Sequence, residues 1–378
     1  MRILVLGAGL QGSACAYDLL RQEDVESVTL ADLDPGRAAR FLPEHDRLRK
    51  VRADFADGEE VDALMEVHDI ALSAAPYYLN GPLAAAAVRG GCHFSDLGGN
   101  TEIVREQMAL DARAKTAGCM IAPDVGLAPG MINIIAAEGI RRLDEPQTMR
   151  MYVGGLPQNP IPPLNYQIVY SLAGVLDYYT TPSWILRDGV PREIEPLTEI
   201  ETLEFEGIGE LEAFHTAGGA SLQPWDFADE VTNLQYKTLR YPGHARIMDA
   251  LRALGLWDTE PIDVKGVQVV PRDAFIARVR PHLTQEHEPD MVVLRVVAEG
   301  RHGGEPRTLR WDLVDYADTA AGISAMERTT GFTLAIVGLF LGRGVITARG
   351  AAPAYRVVPY APYVEELEKR GIRVRLGE

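Results

Sequence analysis

The fold is decided by the first twelve residues, Met1-Arg-Ile-Leu-Val-Leu-Gly-Ala-Gly-Leu-Gln-Gly12. Residues 2–6 form an apolar run without a breaker, which predicts a buried strand. Gly7, Gly9 and Gly12 follow it in the spacing G-x-G-x-x-G, and a helical pattern begins directly after them. This order of strand, glycines and helix is typical of a loop that binds the pyrophosphate of a dinucleotide.

Each glycine in such a loop has its own physical reason. Gly7 allows the tight turn out of the strand, Gly9 lets the backbone approach a pyrophosphate, and Gly12 lets the helix pack close to the strand. Leu10 and Gln11 lie at the start of the helix, where backbone N–H groups and the helix dipole attract phosphate. We therefore predict that these five residues bind the cofactor.

A carboxylate follows at the distance that this kind of fold requires. The apolar run 28–31 ends in Asp32, twenty residues after Gly12, where a carboxylate accepts hydrogen bonds from the adenosine ribose. A ribose that carried a phosphate would be repelled by Asp32, so the sequence predicts NAD rather than NADP. Arg37 reverses this preference only if its side chain turns inward. The alternative interpretation of the glycine motif is a turn within a sheet that binds no cofactor.

Strands and helices alternate through the first 123 residues. Strands are predicted at 48–53, 70–74, 92–95 and 119–122, with helices that include 82–88 and 104–117. This alternation favours the α/β class, with a Rossmann-type, doubly wound parallel sheet. Ligands of such sheets bind beyond the carboxyl ends of the strands. Cofactor contacts are therefore also predicted for Asp54, Ala74, Ala75, Pro76, Asp96 and Gly98.

The pattern changes after residue 123. A helix is predicted at 131–143, and strands and long loops then prevail, including the β-forming run 291–298. This part predicts a second, mixed α+β domain for substrate binding and dimerisation. The apolar helix at 324–341 is expected to pack back on the first domain. The predicted division is an NAD-binding domain of residues 1–123 with 324–378, and a substrate domain of residues 124–323.

Composition narrows the class of partner. The chain has 378 residues, 47% of them hydrophobic, and a formal net charge of −17. That charge repels nucleic acid and anionic membranes, and the longest apolar run, 332–341, is too short to cross a bilayer. Three cysteines without a C-x-x-C pair indicate a reducing compartment. We expect a cytoplasmic homodimer or higher homo-oligomer that acts on a small molecule and has no metal site.

Several longer motifs carry a family likeness. They are Asp124-x-Gly-x-x-Pro-Gly130, Ala213-Phe-His-Thr216, Gly154-Gly-Leu-Pro157, Tyr236-Lys-Thr-Leu-Arg-Tyr-Pro-Gly-His244, Pro271-Arg-Asp273 and Leu341-Gly-Arg-Gly-Val-Ile-Thr347. With the glycine motif, they cover nearly the whole chain, which resembles the saccharopine dehydrogenase superfamily and, within it, the L-lysine 6-dehydrogenase type. The resemblance implies that the ε-carbon of L-lysine gives a hydride to NAD. Water then releases ammonia and 2-aminoadipate 6-semialdehyde, which cyclises to piperideine-6-carboxylate.

Two departures from the wider family bear on the substrate. Saccharopine-forming relatives are expected to carry an arginine within the segment 215–219, but that segment has no Arg or Lys here. They also carry a polar cysteine where this chain has Val153. Without a guanidinium, the second part of saccharopine lacks a bidentate partner for its carboxylate. The departures favour a substrate with one carboxylate, and saccharopine dehydrogenase is the runner-up.

Asp124 and Tyr77 are the candidate catalytic residues. Asp124 follows a strand beside the expected nicotinamide site, where it can take or relay a proton from the substrate amine. An equally well supported interpretation is that the Asp124 carboxylate caps the helix that starts at residue 131. The family likeness places a substrate-facing aromatic at Tyr77, and a tyrosine that merely fills a groove is as well supported.

The candidate substrate-binding residues lie in the second half. Arg240 is the choice for the substrate carboxylate because its planar fork matches that group, and His244 would orient the carboxylate or carry a proton. Lys237 shares a face with Arg240 only if their segment is helical. Simple packing is at least as well supported for the remaining three candidates, Tyr170, His215 and Thr216.

Two further classes of function stay open. One is a non-catalytic NAD-binding sensor, which the ionisable cluster from Lys237 to His244 argues against. The other is a structural protein with an empty nucleotide fold, which would bind no cofactor.

Overall fold

A computed structural model of the chain describes residues 1–168, 171–284 and 288–377, which form two large sheets and the helices around them. In chain order the strands are β1 (Arg2–Leu6), β2 (Ser27–Asp32), β3 (Leu48–Arg52), β4 (Ile70–Ser73), β5 (His93–Asp96), β6 (Met120–Ala122), β7 (Glu145–Pro157), β8 (Ser183–Arg187), β9 (Val190–Ile194), β10 (Glu201–Phe205), β11 (Gly209–His215), β12 (Asn233–Arg240), β13 (Ile262–Val264), β14 (Val267–Val269), β15 (Asp290–His302), β16 (Glu305–Tyr316), β17 (Gly350–Ala351) and β18 (Arg375–Gly377). The helices are α1 (Leu10–Leu20), α2 (Gly58–Glu66), α3 (Asn80–Gly90), α4 (Thr101–Met108), α5 (Asp111–Ala117), α6 (Met131–Arg141), α7 (Leu172–Thr180), α8 (Gln223–Asp226), α9 (His244–Ala253), α10 (Pro271–Leu283), α11 (Ala325–Gly342), α12 (Ala354–Val357) and α13 (Tyr360–Lys369).

The first sheet is parallel throughout, with the order β17-β6-β5-β4-β1-β2-β3. Side chains of β1 alternate between two buried clusters. Ile3 and Val5 pack with α1 and α11 on one face, whereas Leu4 and Leu6 pack with α2 and α3 on the other. A strand buried on both faces reads as a continuous apolar run, which is why residues 2–6 show no polar alternation. The predicted doubly wound parallel sheet is confirmed.

The second sheet is mixed. Its main path is β10-β11-β12-β7-β15-β16-β18, and β8 and β9 extend it from β12. β7 and β12 run parallel, and the other pairs are antiparallel. A separate hairpin is formed by β13 and β14. The predicted second domain of mixed α+β type is confirmed.

Two apolar helices, α6 and α11, contribute to one continuous core. α6 packs on β7 and β15 of the second sheet, whereas α11 contacts strands of both sheets. Fifteen of the eighteen residues of α11 are buried. A Cβ on Gly331 would lie 2.6 Å from the Cβ of Ala14, so this glycine lets α11 pack close against α1. α11 also contacts β4, so this helix packs against the first sheet.

The structure differs from the sequence-based assignment at two places. The helix predicted at 104–117 is two helices, α4 and α5, separated at Ala109 and Leu110. Both of these residues are good helix formers, so nothing in the pattern marked the break. The C-terminal part contributes β17 to the first sheet and β18 to the second, and the domain boundaries stay a prediction. No helix in the described ranges is long and apolar enough to span a bilayer.

Candidate active site

The loop between β1 and α1 has the geometry that its three glycines predict. Gly7 has a φ of +101°, and its N–H donates to the carbonyl of Ala31 at 2.8 Å. A Cβ on Gly12 would overlap the carbonyl oxygen of Gly7, whereas a Cβ on Gly9 would meet open space. α1 begins directly after Gly9, and no side chain in the described ranges caps it. The open backbone and the first N–H groups of α1 fit a pyrophosphate.

Asp32 ends β2 beside this loop, and its carboxylate is engaged by the backbone. Oδ2 accepts a hydrogen bond of 2.7 Å from the N–H of Ala8, and Oδ1 accepts one of 2.9 Å from the N–H of Asp34. Asp32 therefore holds the shape of the glycine loop in addition to its predicted contact with a ribose. Two exposed arginines lie close in the fold: Arg52 is the register partner of Asp32 on β3, and Arg37 lies in the turn that follows.

The other predicted cofactor residues lie at the same edge of the sheet. The N–H of Ala74 donates to the carbonyl of Leu6, and a Cβ on Gly7 would lie 2.8 Å from the Ala74 oxygen, so these two loops touch. The N–H of Asp54 donates to Glu60 Oε2 at 2.9 Å and closes the turn before α2. A cofactor contact stays a prediction for Asp54, Ala74, Ala75, Pro76, Asp96 and Gly98.

Asp124 lies behind this edge, fully enclosed. Its φ is +60°, its Oδ1 accepts a hydrogen bond of 3.2 Å from the N–H of Gly99, and its Oδ2 accepts one of 2.5 Å from the hydroxyl of Ser221. Burial raises the pKa of Asp124 to about 7, against the opposing effect of the Ser221 hydrogen bond, and the charge of Asp96 raises it further. Asp124 can therefore change its protonation state near neutral pH, although it lines neither of the two cavities described below.

A second buried carboxylate, Asp96, holds the same loop from the other side. It accepts hydrogen bonds of 2.7 Å from the N–H of Gly98 and of 2.5 Å from the side-chain amide of Gln107. Burial raises the pKa of Asp96 to about 6. The loop 97–99 is thus fixed between two carboxylates.

Asp124 does not occupy the helix-capping position that the sequence left open. α6 begins at Met131, and its N-cap residue is Gly130. The N–H of Gly130 donates to Oδ1 of Asn133 at 2.7 Å. The start of α6 is therefore capped from within the helix.

A cavity of about 190 Å³ lies between the glycine loop, the second sheet and α11. Of the described residues that line it, Arg240 alone carries a formal charge. The lining residues are Gln11, Leu97, Gly98, Gly126, Leu127, Ala128, Pro129, Val153, Gly154, Gly155, Tyr178, Tyr236, Thr238, Arg240, Met326 and Thr330.

Arg240 reaches this cavity from the end of β12. Residues two apart on a strand face the same way, and Tyr236, Thr238 and Arg240 accordingly all line the cavity. Arg240 is 3% exposed, its Nη1 donates to the Leu239 carbonyl at 2.9 Å, and its guanidinium lies 5.0 Å from the ring centre of Tyr166. A buried guanidinium against an aromatic ring is suited to a carboxylate ligand.

Lys237 and His215 lie on the opposite face of this sheet. They are register partners on β12 and β11. Lys237 Nζ donates to Glu201 Oε1 at 2.7 Å, and the His215 ring lies 3.3 Å from Glu199 Oε2. Burial, followed by the charge of Lys237, lowers the pKa of His215. Because the segment is a strand, Lys237 and Arg240 do not share a face, and the structure does not bring Lys237 or His215 to the cavity.

Thr216 and His244 lie behind the cavity wall. The Thr216 hydroxyl is 2.7 Å from the hydroxyl of Thr238, which does line the cavity. His244 Nδ1 lies 3.0 Å from the Leu164 carbonyl and its Nε2 lies 3.1 Å from the Tyr179 hydroxyl. The carbonyl only accepts, so Nδ1 carries the proton and Nε2 accepts one. Burial lowers the pKa of His244 to about 3, so its ring is neutral at physiological pH.

Tyr77 lies in the short turn Tyr77–Leu79 and lines a second cavity of about 250 Å³. Tyr178 lines both cavities. Tyr170 falls outside the described residues, and its predicted contact with substrate stays a prediction.

Four residues at or near the cavity were not predicted from the sequence, namely Tyr178, Tyr236, Thr238 and Ser221. Strand periodicity across residues 236–240 would have placed Tyr236 and Thr238 beside Arg240. The sequence holds no comparable signal for Tyr178 and Ser221, because their approach to the first sheet depends on the packing of the two halves of the molecule.

Comparisons with known proteins agree with this architecture. The profile of the "Saccharopine dehydrogenase NADP binding domain" matches residues 3–122, and that of the "Saccharopine dehydrogenase C-terminal domain" matches residues 126–372. The apo saccharopine dehydrogenase (L-Glu forming) of Saccharomyces cerevisiae has a similar fold, with a TM-score of 0.81, 21% identity and coverage of 100% of this chain and 99% of that one.

Two kinds of curated relative match nearly the whole chain. The mitochondrial alpha-aminoadipic semialdehyde synthase of Bos taurus is 24% identical, over 98% of this chain and 47% of that protein. The chain thus spans about half the length of the mammalian relatives that it matches. The saccharopine dehydrogenase [NADP(+), L-glutamate-forming] of Schizosaccharomyces pombe is 22% identical, over 98% of each chain. With both domain profiles accounting for nearly all of its residues, the chain belongs to the saccharopine dehydrogenase family of oxidoreductases and carries that family's pyridine-nucleotide-binding domain.

Proposed function

We propose that the protein oxidises the ε-amine of L-lysine with NAD, giving 2-aminoadipate 6-semialdehyde and ammonia. The observation that carries this proposal is the charge of the cavity wall. Arg240 is the one charged side chain among the described lining residues, and a single guanidinium pairs with a single carboxylate. L-Lysine has one carboxylate, whereas saccharopine has three, and each additional unpaired carboxylate in a buried site is costly.

The residues of the chain have separable roles in this reaction. Arg240 holds the substrate carboxylate, and the two loops that carry Leu97, Gly98 and Gly126–Pro129 enclose the cavity in which the substrate lies. A bound nicotinamide supplies the hydride acceptor. Asp124 does not line the cavity, so it accepts by relay the proton that the substrate ammonium must lose. The Ser221 hydroxyl keeps the Asp124 carboxylate in place. Oxidation leaves an imine of the substrate, and addition of water with loss of ammonia gives the semialdehyde.

The choice of NAD rests on Asp32. Its carboxylate stands at the end of β2, where the ribose of the adenosine binds in this fold, and its two backbone hydrogen bonds keep the charge in that position. A phosphate on that ribose would meet a fixed negative charge. The name of the matching domain points to NADP instead, and the exposed Arg37 and Arg52 are the groups that would accept its phosphate.

The second candidate is a saccharopine dehydrogenase, which the names of the relatives favour. One assay separates the two, because lysine oxidation releases ammonia, whereas saccharopine oxidation to the semialdehyde releases glutamate. We expect NADH and ammonia from L-lysine and little response to saccharopine. Glutamate release from saccharopine, with no response to lysine, would overturn the proposal. Cofactor binding without oxidation of any amine would favour the non-catalytic sensor.

A further inference from the structure

Gln11 occupies an unusual position in the cavity. It is the second residue of α1, within the glycine loop, yet its side chain lines the same cavity as Arg240. Its backbone is fixed by α11, since a Cβ on Gly331 would lie 2.8 Å from the Gln11 carbonyl oxygen. Gln11 Oε1 is buried and has no hydrogen-bond partner among the described residues. Because Gln11 lines the cavity, this acceptor is available to a donor that enters there.

The rest of the wall offers few free acceptors. The hydroxyl of Thr238 is shared with Thr216 at 2.7 Å and with Tyr236 at 3.4 Å. The hydroxyl of Thr330 is directed to the sulfur of Met326 at 3.4 Å. The described lining residues include no carboxylate. The wall therefore provides a cation for one end of a ligand and a neutral amide oxygen for a donor at another point.

We propose that Gln11 Oε1 accepts a hydrogen bond from the reacting amine of the substrate while Arg240 holds its carboxylate. The proposal rests on the function proposed above and adds to it the group that recognises the amine. Gln11 belongs to the first half of the chain and Arg240 to the second, so one substrate bridges both. A neutral acceptor stabilises a neutral amine without the charge that an ammonium would need, and hydride leaves only from the neutral form.

The alternative hydrogen-bond partner of Gln11 Oε1 is the bound cofactor, whose own amide group can donate a hydrogen bond. The two cases are separated by ligand binding with NADH bound, so that no turnover occurs. Three probes divide the substrate into parts. 6-Aminohexanoate has the carboxylate and the terminal amine, norleucine has the carboxylate and the α-amine, and hexanoate has the carboxylate alone.

The test compares Gln11→Leu with Gln22→Leu by calorimetry. Gln22 lies just beyond the other end of α1 and outside this cavity, and it provides the matched control. We expect Gln11→Leu to raise the Kd of 6-aminohexanoate about tenfold, as for one lost hydrogen bond in a buried site. The Kd values of hexanoate, norleucine and NADH should each change by less than about twofold. Gln22→Leu should change none of them.

Three results would overturn the inference. If Gln11→Leu raised the Kd of NADH as much as that of 6-aminohexanoate, Gln11 would contact the cofactor. A raised Kd for norleucine would show that Gln11 contacts the α-amine. If no Kd changed, the Gln11 side chain would contact none of these ligands. These binding measurements do not depend on turnover. If wild-type protein fails to oxidise lysine but Gln11→Leu still weakens 6-aminohexanoate selectively, the proposed reaction fails and the amine contact stands.

Discussion

The hydroxyl of Ser221 donates a hydrogen bond of 2.5 Å to Oδ2 of Asp124 and joins the second half of the chain to the edge of the first sheet. Both residues have left-handed backbone, with φ of +55° for Ser221 and +60° for Asp124. Residues with a Cβ adopt this region only where their surroundings enforce it. The pair is therefore held by the packing of the two halves, at the edge of the first sheet that lies next to the cavity lined by Arg240.

The first prediction concerns Asp124 as a proton acceptor. Asp124→Asn should lower kcat by about a hundredfold or more, with an unchanged Kd for the cofactor. Because the pKa of Asp124 is raised to about 7, wild-type kcat/KM should rise as the pH increases through that value and the carboxylate ionises. The variant should lack this rise. Near wild-type turnover in Asp124→Asn would reduce the residue to a structural role.

The same carboxylate makes a prediction about stability. Its pKa in the folded protein lies above the ordinary value of 3.8, so the folded state binds this proton more tightly than the unfolded state. Its contribution to the free energy of unfolding should therefore be lost as the pH rises from about 4 through about 7. Asp124→Asn removes that dependence. Urea unfolding should show the variant gaining stability relative to wild type between pH 5 and pH 8, and an equal difference at both values would contradict this account.

Arg240 and Lys237 offer a comparison within one strand. Arg240→Lys should raise the KM for the substrate by about tenfold or more, because an ammonium cannot reproduce the two-pronged contact with a carboxylate. Lys237→Gln should leave KM within about twofold and mainly weaken the local contact with Glu201. Steady-state kinetics at saturating cofactor measure both. If Lys237→Gln raises KM as much as Arg240→Lys does, the assignment of the two faces of β12 is wrong.

The sequence predicted the first sheet well because each of its determinants is local. The glycines after β1 and the acid that ends β2 are spaced by the geometry of a single strand, turn and helix. The cavity was predicted only in part. Arg240 was selected for its chemistry, but Lys237 was grouped with it because nothing local distinguished a helix from a strand at 236–240. Tyr178 and Ser221 depend on the contact between the two halves, which no local pattern encodes.

His244 should affect stability with a dependence on pH opposite to that of Asp124. Burial lowers its pKa to about 3, so the unfolded state binds the proton more tightly, and stability should fall as the pH decreases from about 6.5. His244→Phe leaves the Leu164 carbonyl and the Tyr179 hydroxyl without their partner, at a cost of about 1–3 kcal/mol. Urea unfolding measures that loss. The dependence of kcat/KM on pH should have the same shape in His244→Phe as in wild type between pH 6 and pH 9, since a neutral ring does not titrate there. If a rise or fall present in wild type were absent from the variant, His244 would be a proton carrier after all.

The last prediction concerns the choice of cofactor, where Asp32 and the matching domain name point in different directions. If the Asp32 charge excludes the phosphate of NADP, kcat/KM should be higher with NAD by at least about tenfold. Asp32→Asn keeps an oxygen that can accept a hydrogen bond from Ala8 or Asp34 but removes the charge. It should therefore reduce the preference for NAD, mainly by raising kcat/KM with NADP. Arg52→Ala tests the opposite possibility, because loss of an arginine that binds the phosphate would weaken NADP selectively. A wild-type preference for NADP that Arg52→Ala abolishes would show that the arginine, and not the carboxylate, determines the cofactor.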